Sequence, residues 1–400
     1  MRIALVCSEV IRESGHGRYM LELARRLAPR HEVHVYSHLF QPVPGVTHHP
    51  VSAHLGVNLW RLLTFWWGAT RALGREPFDV VHTIGGCCAR RDVVTAQFCQ
   101  RPWGEELARL ARDDRRARAL GQPPLLPGSP LRHLYHHLYW RVADLFEAPA
   151  FRARPGKRLI AVSAGVREEL VRCYGVPRDA VAVIHNGVEP AEFTAEALTP
   201  LRGPTREALG LPADAPVVLY VGDFYRKGLA VAIAAFAAAG RPEAWLLVVG
   251  RGEYDAFRAL AERLGVADRV RFTGFVPDTR PYFAAADAFV FPTRYEPFGM
   301  VVTEAMAAGL PVVTTRVAGA AEVIADGEEG LLVDDPTDAT GLGRALASVL
   351  ADPMRAAALG RAARRKAATV SWDRIAAETE AVYTALVAAR AAPRRVRSLW

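Results

Sequence analysis

Short runs of apolar, mostly β-branched residues recur along the chain and alternate with longer stretches of helical periodicity. In the first half of the chain these runs predict strands over residues 2–7, 32–36, 79–84, 93–97, 159–163 and 181–185. In the second half they predict strands over residues 216–222, 244–250, 270–274, 288–293, 311–315 and 331–334. Because an uninterrupted apolar strand is buried on both faces, the pattern predicts parallel sheets covered by helices.

Twelve strands are more than one sheet comfortably holds. Between the two sets of strands, residues 190–216 contain several prolines and no clear periodicity, which is typical of a linker. The predicted fold class is therefore α/β, with two Rossmann-like, doubly wound parallel-sheet domains facing a cleft. Ligands of such sheets bind where the strands end and the helices begin, so we expect the site in that cleft. We place the first domain at residues 1–195 and the second at residues 196–375.

Two segments depart from this alternation. Residues 101–131 carry many arginines and acids and then a run of prolines, which predicts a short helix followed by a mobile loop. Residues 58–67 (NLWRLLTFWW) predict a very apolar, aromatic helix. That helix either covers the first sheet or lies at a membrane surface, where Trp with flanking Arg is favoured.

The composition is that of an ordinary globular protein, with 51% hydrophobic and 23% charged residues, which excludes disordered and collagen-like classes. No apolar run approaches the ~18 residues of a membrane span, and the first strand is too short for a signal peptide. The five cysteines form no C-x-x-C pair, which argues against a disulfide framework. We therefore expect a cytoplasmic protein.

The basic charge is concentrated in the first half of the chain. Residues 1–195 hold 26 basic and 18 acidic residues, which accounts for the whole net charge of +8. Any attraction to an anionic partner therefore belongs to the first half. The chain has only three lysines, so Lys227, at the start of a predicted helix, stands out among the basic residues.

Two glycine-containing turns are candidates for binding an anion. The first strand leads through Gly15 and His16 into a helix, and such a loop presents backbone N–H groups and a helix dipole, although a plain tight turn explains it as well. In the second half, Gly222 ends a strand, and Arg226 and Lys227 follow at the strand-to-helix turn. An Arg and a Lys there can neutralise a diphosphate, and a solvated basic loop is the alternative.

The strongest sequence signal is the segment EPFGMVVTE, which begins at Glu296 and ends at Glu304. Glu296 follows a buried strand, and the next helix is predicted to begin near Gly299 with unpaired backbone N–H groups. Those donors can hold a phosphate, while the two glutamates flank them as acceptors for sugar hydroxyls. Two carboxylates beside an anion site are costly unless they bind hydroxyls or cations.

The segments EPFGMVVTE, EAMAAGLPVV, RKG and VIHNGVEPAEF together resemble glycosyltransferase family 4, whose members are retaining enzymes of the GT-B architecture. The resemblance covers nearly the whole chain, with a looser likeness to cell-envelope and lipopolysaccharide-core sugar transferases. It implies a nucleotide-diphosphate sugar bound mainly by the second domain and an acceptor bound mainly by the first. It also implies a final helix, within a third segment at residues 376–400, that returns to pack on the first domain.

The resemblance assigns roles to individual residues. The catalytic candidates are Glu296 at the donor sugar and Lys227 and Arg226 at the diphosphate. The residues implied in donor binding are Gly15, Gly222, Arg226, Lys227, Val276, Phe298, Gly299, Met300, Val301 and Glu304, with Phe275 and Val276 beside the base and Glu304 at the ribose. The residues expected on the acceptor or sugar side are His16, His82 and Gln97.

The chain departs from the family pattern at two positions. Asp223 stands where the family usually has an arginine, so Arg226 must act without that partner. Gln97 stands where a strand of the family often ends in histidine, which leaves open the residue that contacts the sugar or acceptor. His133, His136 and His137 resemble a metal cluster, but neither a fourth ligand nor an Asp-x-Asp motif accompanies them, so we expect no metal site and no cofactor.

The resemblance therefore implies a metal-independent, retaining hexosyltransferase or N-acetylhexosaminyltransferase. The donor is expected to be a UDP-sugar, with a GDP-sugar as the alternative. The expected acceptor is an anionic glycan or lipid-linked molecule, with peripheral contact of the first domain at the inner face of the membrane. The alternatives are a cytosolic sugar-phosphate or polysaccharide synthase on the same scaffold and a non-catalytic nucleotide-sugar-binding subunit. Nucleic acid is not an expected partner, because the basic excess lacks an aromatic RNA-binding signature.

Overall fold

A computed structural model describes residues 1–54, 58–119, 130–154 and 156–391 of the 400-residue chain. Its described residues divide into two compact units. Unit 1 comprises Met1–Pro102, His137–Asn186 and the chain from Trp372 onward, and unit 2 comprises Trp103–His136 and Gly187–Ser371.

The first half of the chain alternates strands and helices. In chain order its elements are β1 (Arg2–Val6), β2 (Glu9–Val10), α1 (Gly15–Leu27), β3 (Glu32–Ser37), β4 (Leu39–Phe40), β5 (Val46–Pro50), α2 (Asn58–Leu73), β6 (Val80–Ile84), β7 (Val93–Ala96), α3 (Gln100–Ala119), α4 (Pro130–Phe151), β8 (Arg158–Ala161), α5 (Ala164–Tyr174) and β9 (Val181–Val183).

The second half has the same alternation and ends in three helices. Its elements are α6 (Ala195–Leu209), β10 (Val217–Val221), α7 (Leu229–Ala238), β11 (Trp245–Val249), α8 (Tyr254–Arg263), β12 (Val270–Gly274), α9 (Arg280–Ala285), β13 (Ala288–Phe291), α10 (Met300–Ala307), β14 (Val312–Thr315), β15 (Gly330–Val333), α11 (Ala339–Ala351), α12 (Pro353–Ala368) and α13 (Trp372–Ala391).

Each unit is built on one parallel sheet. The strand order is β5-β3-β1-β6-β7-β8-β9 in unit 1 and β12-β11-β10-β13-β14-β15 in unit 2, and β2 pairs with β4 separately. Both orders reverse direction next to the first strand, so the sheets are doubly wound as predicted. The reversal lies between β1 and β6 in unit 1 and between β10 and β13 in unit 2. Ligands of doubly wound sheets bind outside the carboxyl ends of the strands at this reversal.

All twelve predicted strands are confirmed, but the predicted linker is wrong. Within residues 190–216 the chain forms a 15-residue helix, α6, which contains Pro200 and Pro204. Thr194 caps its start by accepting a hydrogen bond from the Ala197 amide, and Gly210 ends it in a left-handed conformation. Arg206 is buried and donates to the Asp287 carboxylate at 2.7 Å, so tertiary contacts hold a helix that proline content alone disfavours.

The boundaries of the units differ from the predicted domains. Trp103–His136 belongs to unit 2, in which Arg294 forms an ion pair with Asp113 of α3. In the first half of the chain, unit 1 extends to Asn186 rather than to residue 195, and it resumes at Trp372. The helix predicted within residues 101–131 is a 20-residue helix, and most of the predicted mobile loop lies outside the described residues.

The final helix α13 belongs to unit 1. Its buried Trp372 packs against Tyr19 of α1, with ring centroids 6.2 Å apart. Its Glu380 pairs with Arg30 at 2.5 Å and with His31 at 2.7 Å. Tyr383 is also buried and lies 2.5 Å from Nδ1 of His82 on β6. A helix from the end of the chain thus completes the core of the first unit.

Candidate active site

The loop between β10 and α7 leaves the sheet at the reversal in unit 2. Gly222 has φ of 150°, and a Cβ added there would lie 2.2 Å from Cδ of Lys227. The Lys227 side chain therefore crosses directly over Gly222. Any larger residue at position 222 would displace that side chain. Gly228, with φ of 79°, ends the loop where a Cβ would meet the Pro292 carbonyl at 2.1 Å. The two glycines fix Lys227 against the neighbouring strand end.

Asp223, which stands where the family usually has arginine, acts on the backbone of this loop. Its Oδ1 accepts hydrogen bonds from the amides of Tyr225 at 3.1 Å and Arg226 at 3.0 Å. A short carboxylate that accepts from the amides two and three residues later stabilises a tight turn. Asp223 therefore shapes the turn that carries Arg226 and Lys227.

The second loop of the site joins β13 to α10 on the other side of the reversal. The Glu296 carbonyl accepts from the Gly319 amide at 3.0 Å, and the Phe298 carbonyl accepts from the Ala320 amide at 2.7 Å. Gly299 takes a left-handed conformation with φ of 94° and precedes α10. The first N–H groups of a helix have no partner within the helix, so those of Met300 and Val301 point out of its amino end.

Glu296 brings the two loops together. Its Oε2 accepts a hydrogen bond from Nη1 of Arg226 at 3.1 Å and lies 3.7 Å from Nζ of Lys227. The Lys227 ammonium also lies 5.2 Å from the centroid of the Phe291 ring, a cation–π contact. Only 11% of the Glu296 side chain and 15% of the Lys227 side chain are exposed, so these charges interact in a partly desolvated setting.

The charges of this cluster shift one another's pKa values. Burial alone would raise the pKa of Glu296, but Arg226 and Lys227 outweigh burial and hold that pKa below its ordinary value. Burial lowers the pKa of Lys227, although Glu296 and, more weakly, Glu304 oppose the change. The cluster therefore presents an ionised carboxylate beside two cations, and Arg226 keeps further N–H donors beyond the one used by Glu296.

Three other donor-binding candidates also lie in unit 2. Glu304 is buried on α10, about one turn from the amino end of the helix. Phe275 follows β12 with half of its surface exposed, and the Arg251 guanidinium lies 3.9 Å from the centroid of its ring. Val276 is half-buried next to Phe275. The stacked Arg251 and Phe275 pair was not singled out from the sequence.

The candidates of the first half lie in unit 1. Gly15 begins α1, and His16 beside it is exposed, with Nε2 3.3 Å from the Ser14 hydroxyl. Gln97 follows β7 and exchanges two hydrogen bonds with the Asn186 amide, at 2.8 and 2.9 Å. Asn186 is buried and was missed as a site residue, although it is the asparagine of the VIHNGVEPAEF segment.

The placement of His82 argues against the acceptor-side role predicted for it. The side chain is fully buried in the middle of β6, and its ring nitrogens lie 2.5 Å from the Tyr383 hydroxyl and 2.7 Å from the Thr95 hydroxyl. Burial lowers the pKa of His82 to about 3, so the ring is neutral near pH 7. The sequence placed His82 near a strand end, whereas both ring nitrogens are used inside the unit.

No group of three or more His, Cys, Asp or Glu side chains among the described residues could hold a metal ion. None of the helices that the structure describes is both long enough and apolar enough to cross a bilayer.

Comparison with known proteins assigns the chain to a family. Residues 14–192 match the model of Glycosyltransferase Family 4, and residues 202–366 match that of glycosyl transferases group 1. A D-inositol 3-phosphate glycosyltransferase from Xylanimonas cellulosilytica is 31% identical over 398 residues, covering 92% of this chain and 91% of that protein. The chain belongs to glycosyltransferase family 4.

Other relatives of this family 4 member match shorter stretches. The lipopolysaccharide core biosynthesis glycosyltransferase LpsE from Rhizobium meliloti is 47% identical over 148 residues, covering 37% of this chain and 43% of that protein. A D-inositol 3-phosphate glycosyltransferase from Streptomyces avermitilis is 37% identical over 261 residues, covering 60% of this chain and 54% of the relative. The chain thus spans about half the length of these two curated relatives.

The fold matches a solved glycosyltransferase over nearly the whole chain. WaaG, a glycosyltransferase involved in lipopolysaccharide biosynthesis, superimposes with a TM-score of 0.76 at 24% identity, covering 96% of this chain and 99% of WaaG. This likeness confirms the predicted GT-B fold class of two α/β units with parallel sheets.

Proposed function

We propose that this protein is a retaining glycosyltransferase that moves a hexosyl or N-acetylhexosaminyl group from a nucleotide-diphosphate sugar. The observation that carries the proposal is the Glu296 carboxylate held between Arg226 and Lys227 at the sheet reversal of unit 2. Family membership supports the same class of reaction. The donor is proposed to be a UDP-sugar, with a GDP-sugar as the alternative.

In this proposal the diphosphate lies against Lys227, Arg226 and the amino end of α10. As the bond between the anomeric carbon and the phosphate oxygen breaks, negative charge develops on the diphosphate. Cations and N–H groups fixed beforehand stabilise that charge without rearranging during the reaction. Glu296 faces the donor sugar, Glu304 the ribose, and the exposed Phe275 with the half-buried Val276 the base.

The stereochemical course is proposed to be retention by a same-face route. The acceptor oxygen bonds to the anomeric carbon on the side from which the diphosphate leaves, and the acceptor proton passes to the departing phosphate oxygen. Positive charge around the diphosphate comes from Arg226 and Lys227, so the proposal requires no metal. Gly15, His16 and Gln97 are kept as candidates for contact with the diphosphate, the sugar or the acceptor.

The acceptor is proposed to be an anionic, membrane-borne glycan or lipid of the cell envelope, reached from the cytoplasmic side. In unit 1, Trp60 and Trp67 of α2 are 57% and 62% exposed, and Leu138 and Leu145 of α4 are 54% and 71% exposed. Trp66 and Phe146 connect the two helices, with ring centroids 5.4 Å apart. Phe65, in contrast, is buried in the core, so α2 both covers the sheet and exposes aromatic residues.

The proposed reaction is tested by replacing the two central charges. We expect Lys227→Ala and Glu296→Ala each to lower turnover by roughly 10²–10³-fold while the protein stays folded, because single preorganised electrostatic contacts contribute on this order. Turnover is measured as nucleoside diphosphate released from UDP-, GDP- and ADP-glucose. Lys366→Ala, another lysine of unit 2, and Glu207→Ala, an exposed glutamate, serve as matched controls. A variant of Lys227 or Glu296 with near-wild-type turnover would remove that residue from the mechanism.

A further inference from the structure

The turn of residues 293–296, which carries Glu296 at its end, is held from outside the sheet by helix α3. Arg294 Nη2 donates to Oδ2 of Asp113 at 3.2 Å, and its Nε lies 4.0 Å from Oε1 of Glu106. The Trp103 and Tyr295 rings pack at a centroid distance of 5.6 Å. Arg294 and Tyr295, which immediately precede Glu296, therefore both contact helix α3. That helix lies nearly two hundred positions earlier in the chain.

These contacts are partly shielded from water. The Arg294 and Glu106 side chains are 19% and 13% exposed, whereas Asp113 is 52% exposed. Exposed ion pairs contribute little, but a pair that is mostly buried is screened less by salt and water. Glu106 also forms a second ion pair, in which its Oε2 lies 3.7 Å from Nη1 of Arg109. Of the two α3 carboxylates, Glu106 is thus the better shielded and Asp113 the nearer to Arg294.

The same turn contacts the loop that carries the cations. The Thr293 hydroxyl is fully buried and lies 3.3 Å from the Arg226 carbonyl oxygen and 3.2 Å from the Tyr295 carbonyl oxygen. The Thr293 carbonyl in turn accepts a hydrogen bond from the Thr315 hydroxyl of β14 at 2.8 Å. A displacement of Arg294 and Tyr295 would therefore move the backbone of both Glu296 and Arg226.

We propose that Arg294 is a positioning residue, which sets the place of Glu296 and Arg226 through its ion pairs with Glu106 and Asp113 of α3. This inference rests on the proposed function, since it specifies how the reacting charges of that site are held. Arg294 contributes its charge to α3 and not to the diphosphate. A misplacement of about 1 Å in a catalytic group can cost on the order of 10²-fold in rate, so the effect of losing these pairs is measurable.

The first test is kinetic and separates positioning from direct substrate contact. Arg294→Met is expected to lower kcat by roughly 10- to 100-fold, with little change in KM for the donor sugar or in the unfolding midpoint. Arg294→Lys, which keeps the charge, is expected to restore most of the rate. Arg112→Met, an exposed arginine of the same helix, is the matched control and should leave kcat unchanged.

A double-mutant cycle then identifies the partners. If Arg294 acts through α3, the combination Glu106→Gln with Asp113→Asn lowers kcat by itself, and adding Arg294→Met causes no further loss. Multiplying losses would show that Arg294 acts independently of these carboxylates and would overturn the proposal. A kcat of Arg294→Met within twofold of wild type would overturn it too.

A second measurement uses the protein alone, without any donor. Hydrogen exchange of the amides in residues 293–301 is expected to be faster in Arg294→Met than in wild type or Arg112→Met, because the turn has lost its support. Unchanged exchange would contradict the proposal whatever the reaction turns out to be. A different result is faster exchange in Arg294→Met together with a wild type that turns over none of the nucleotide sugars. That result would support the role of α3 in holding the turn and would reject only the transferase function.

Discussion

Asp223 and Gln97 depart from the family pattern, and the side chains of both form hydrogen bonds that hold neighbouring groups in place. The Asp223 carboxylate accepts from the amides of Tyr225 and Arg226, so it supports the basic turn in place of adding another positive charge. Gln97 exchanges two hydrogen bonds with Asn186, which fixes its amide in unit 1. The Gln97 role is not readable from the sequence, because its partner lies 89 positions away. The Asp223 role is local, but it depends on the conformation of the turn.

The buried His82 makes the stability of unit 1 depend on pH. In the folded protein burial lowers the pKa of His82 to about 3, against an ordinary value of 6.5. Between these two pH values the unfolded chain therefore binds a proton that the folded chain does not bind. The stability that depends on a neutral His82 is fully present above pH 6.5. As the pH falls from 6.5 toward 3, the free energy of unfolding decreases by up to about 1.4 kcal/mol per pH unit. Glu147, with a pKa raised to about 8, acts in the opposite sense between pH 4.5 and 8.

We expect His82→Gln to lose less stability than wild type when the pH is lowered from 6.5 to 4. The glutamine cannot be protonated in this range, and Glu147 acts equally in both proteins, so it cancels in the difference. The measurement is urea unfolding at a series of pH values, with the exposed His54→Gln as control. Parallel stability curves for wild type and His82→Gln would contradict this account of His82.

At the scale of the elements, the sequence predicted the buried parts of the fold and missed what depends on tertiary contact. The twelve strands could be predicted because short, continuous apolar runs are typical of parallel strands that helices cover on both faces. β5 was missed because its sequence, VTHHP, is half polar and forms an edge of the sheet. Helix α6 was missed because Arg206 and the caps outweigh the two prolines within it.

The candidate site was predictable for a related reason. The reversal of strand order in unit 2 places the ends of β10 and β13 side by side, and these ends carry the RKG turn and the EPFG segment. What the sequence could not show is that Glu296 pairs with both Arg226 and Lys227, or that α3 supports the Arg294 turn. Both require contacts between segments distant in sequence.

The exposed aromatic residues of α2 predict reversible binding to anionic membranes. We expect the protein to sediment with phosphatidylglycerol vesicles more than with phosphatidylcholine vesicles, because Trp anchors at the interface and each nearby Arg adds about 1 kcal/mol. Binding should fall as salt shortens the screening length from the ~10 Å reached at 0.1 M.

The matched variants for this experiment lie on different units. Trp60→Ser with Trp67→Ser should abolish most vesicle binding, whereas Met354→Ser, which removes a 77% exposed apolar side chain from unit 2, should not. Equal binding to both vesicle types at low salt, or none to either, would favour an acceptor that is not membrane-borne.

At the scale of the whole molecule, positive charge takes two different forms. The first half of the sequence carries the net excess of +8, while the second half is balanced and places two of its cations, Arg226 and Lys227, beside Glu296. The diffuse excess suits attraction to an anionic acceptor, and the localised pair suits a diphosphate.

Because that pair supplies the positive charge, we expect turnover to be independent of divalent metal. Activity measured after dialysis against EDTA, and in its presence, should equal that of the untreated enzyme with the same nucleotide sugar. Loss of turnover in EDTA that Mn²⁺ or Mg²⁺ restores would contradict this expectation and would require ligands that the described residues do not group together.

The central claim, that unit 2 binds a nucleotide-diphosphate sugar through Lys227 and Glu296, is tested most directly by thermal shift with UDP-, GDP- and ADP-sugars. A ligand at 100 times its Kd stabilises the protein by about 2.7 kcal/mol, which is readily measured. We predict that one nucleotide series raises the melting temperature of the wild type and of Lys366→Ala but not that of Lys227→Ala. A panel in which no sugar nucleotide shifts the wild type, or in which Lys227→Ala is stabilised as strongly as the wild type, would contradict the account.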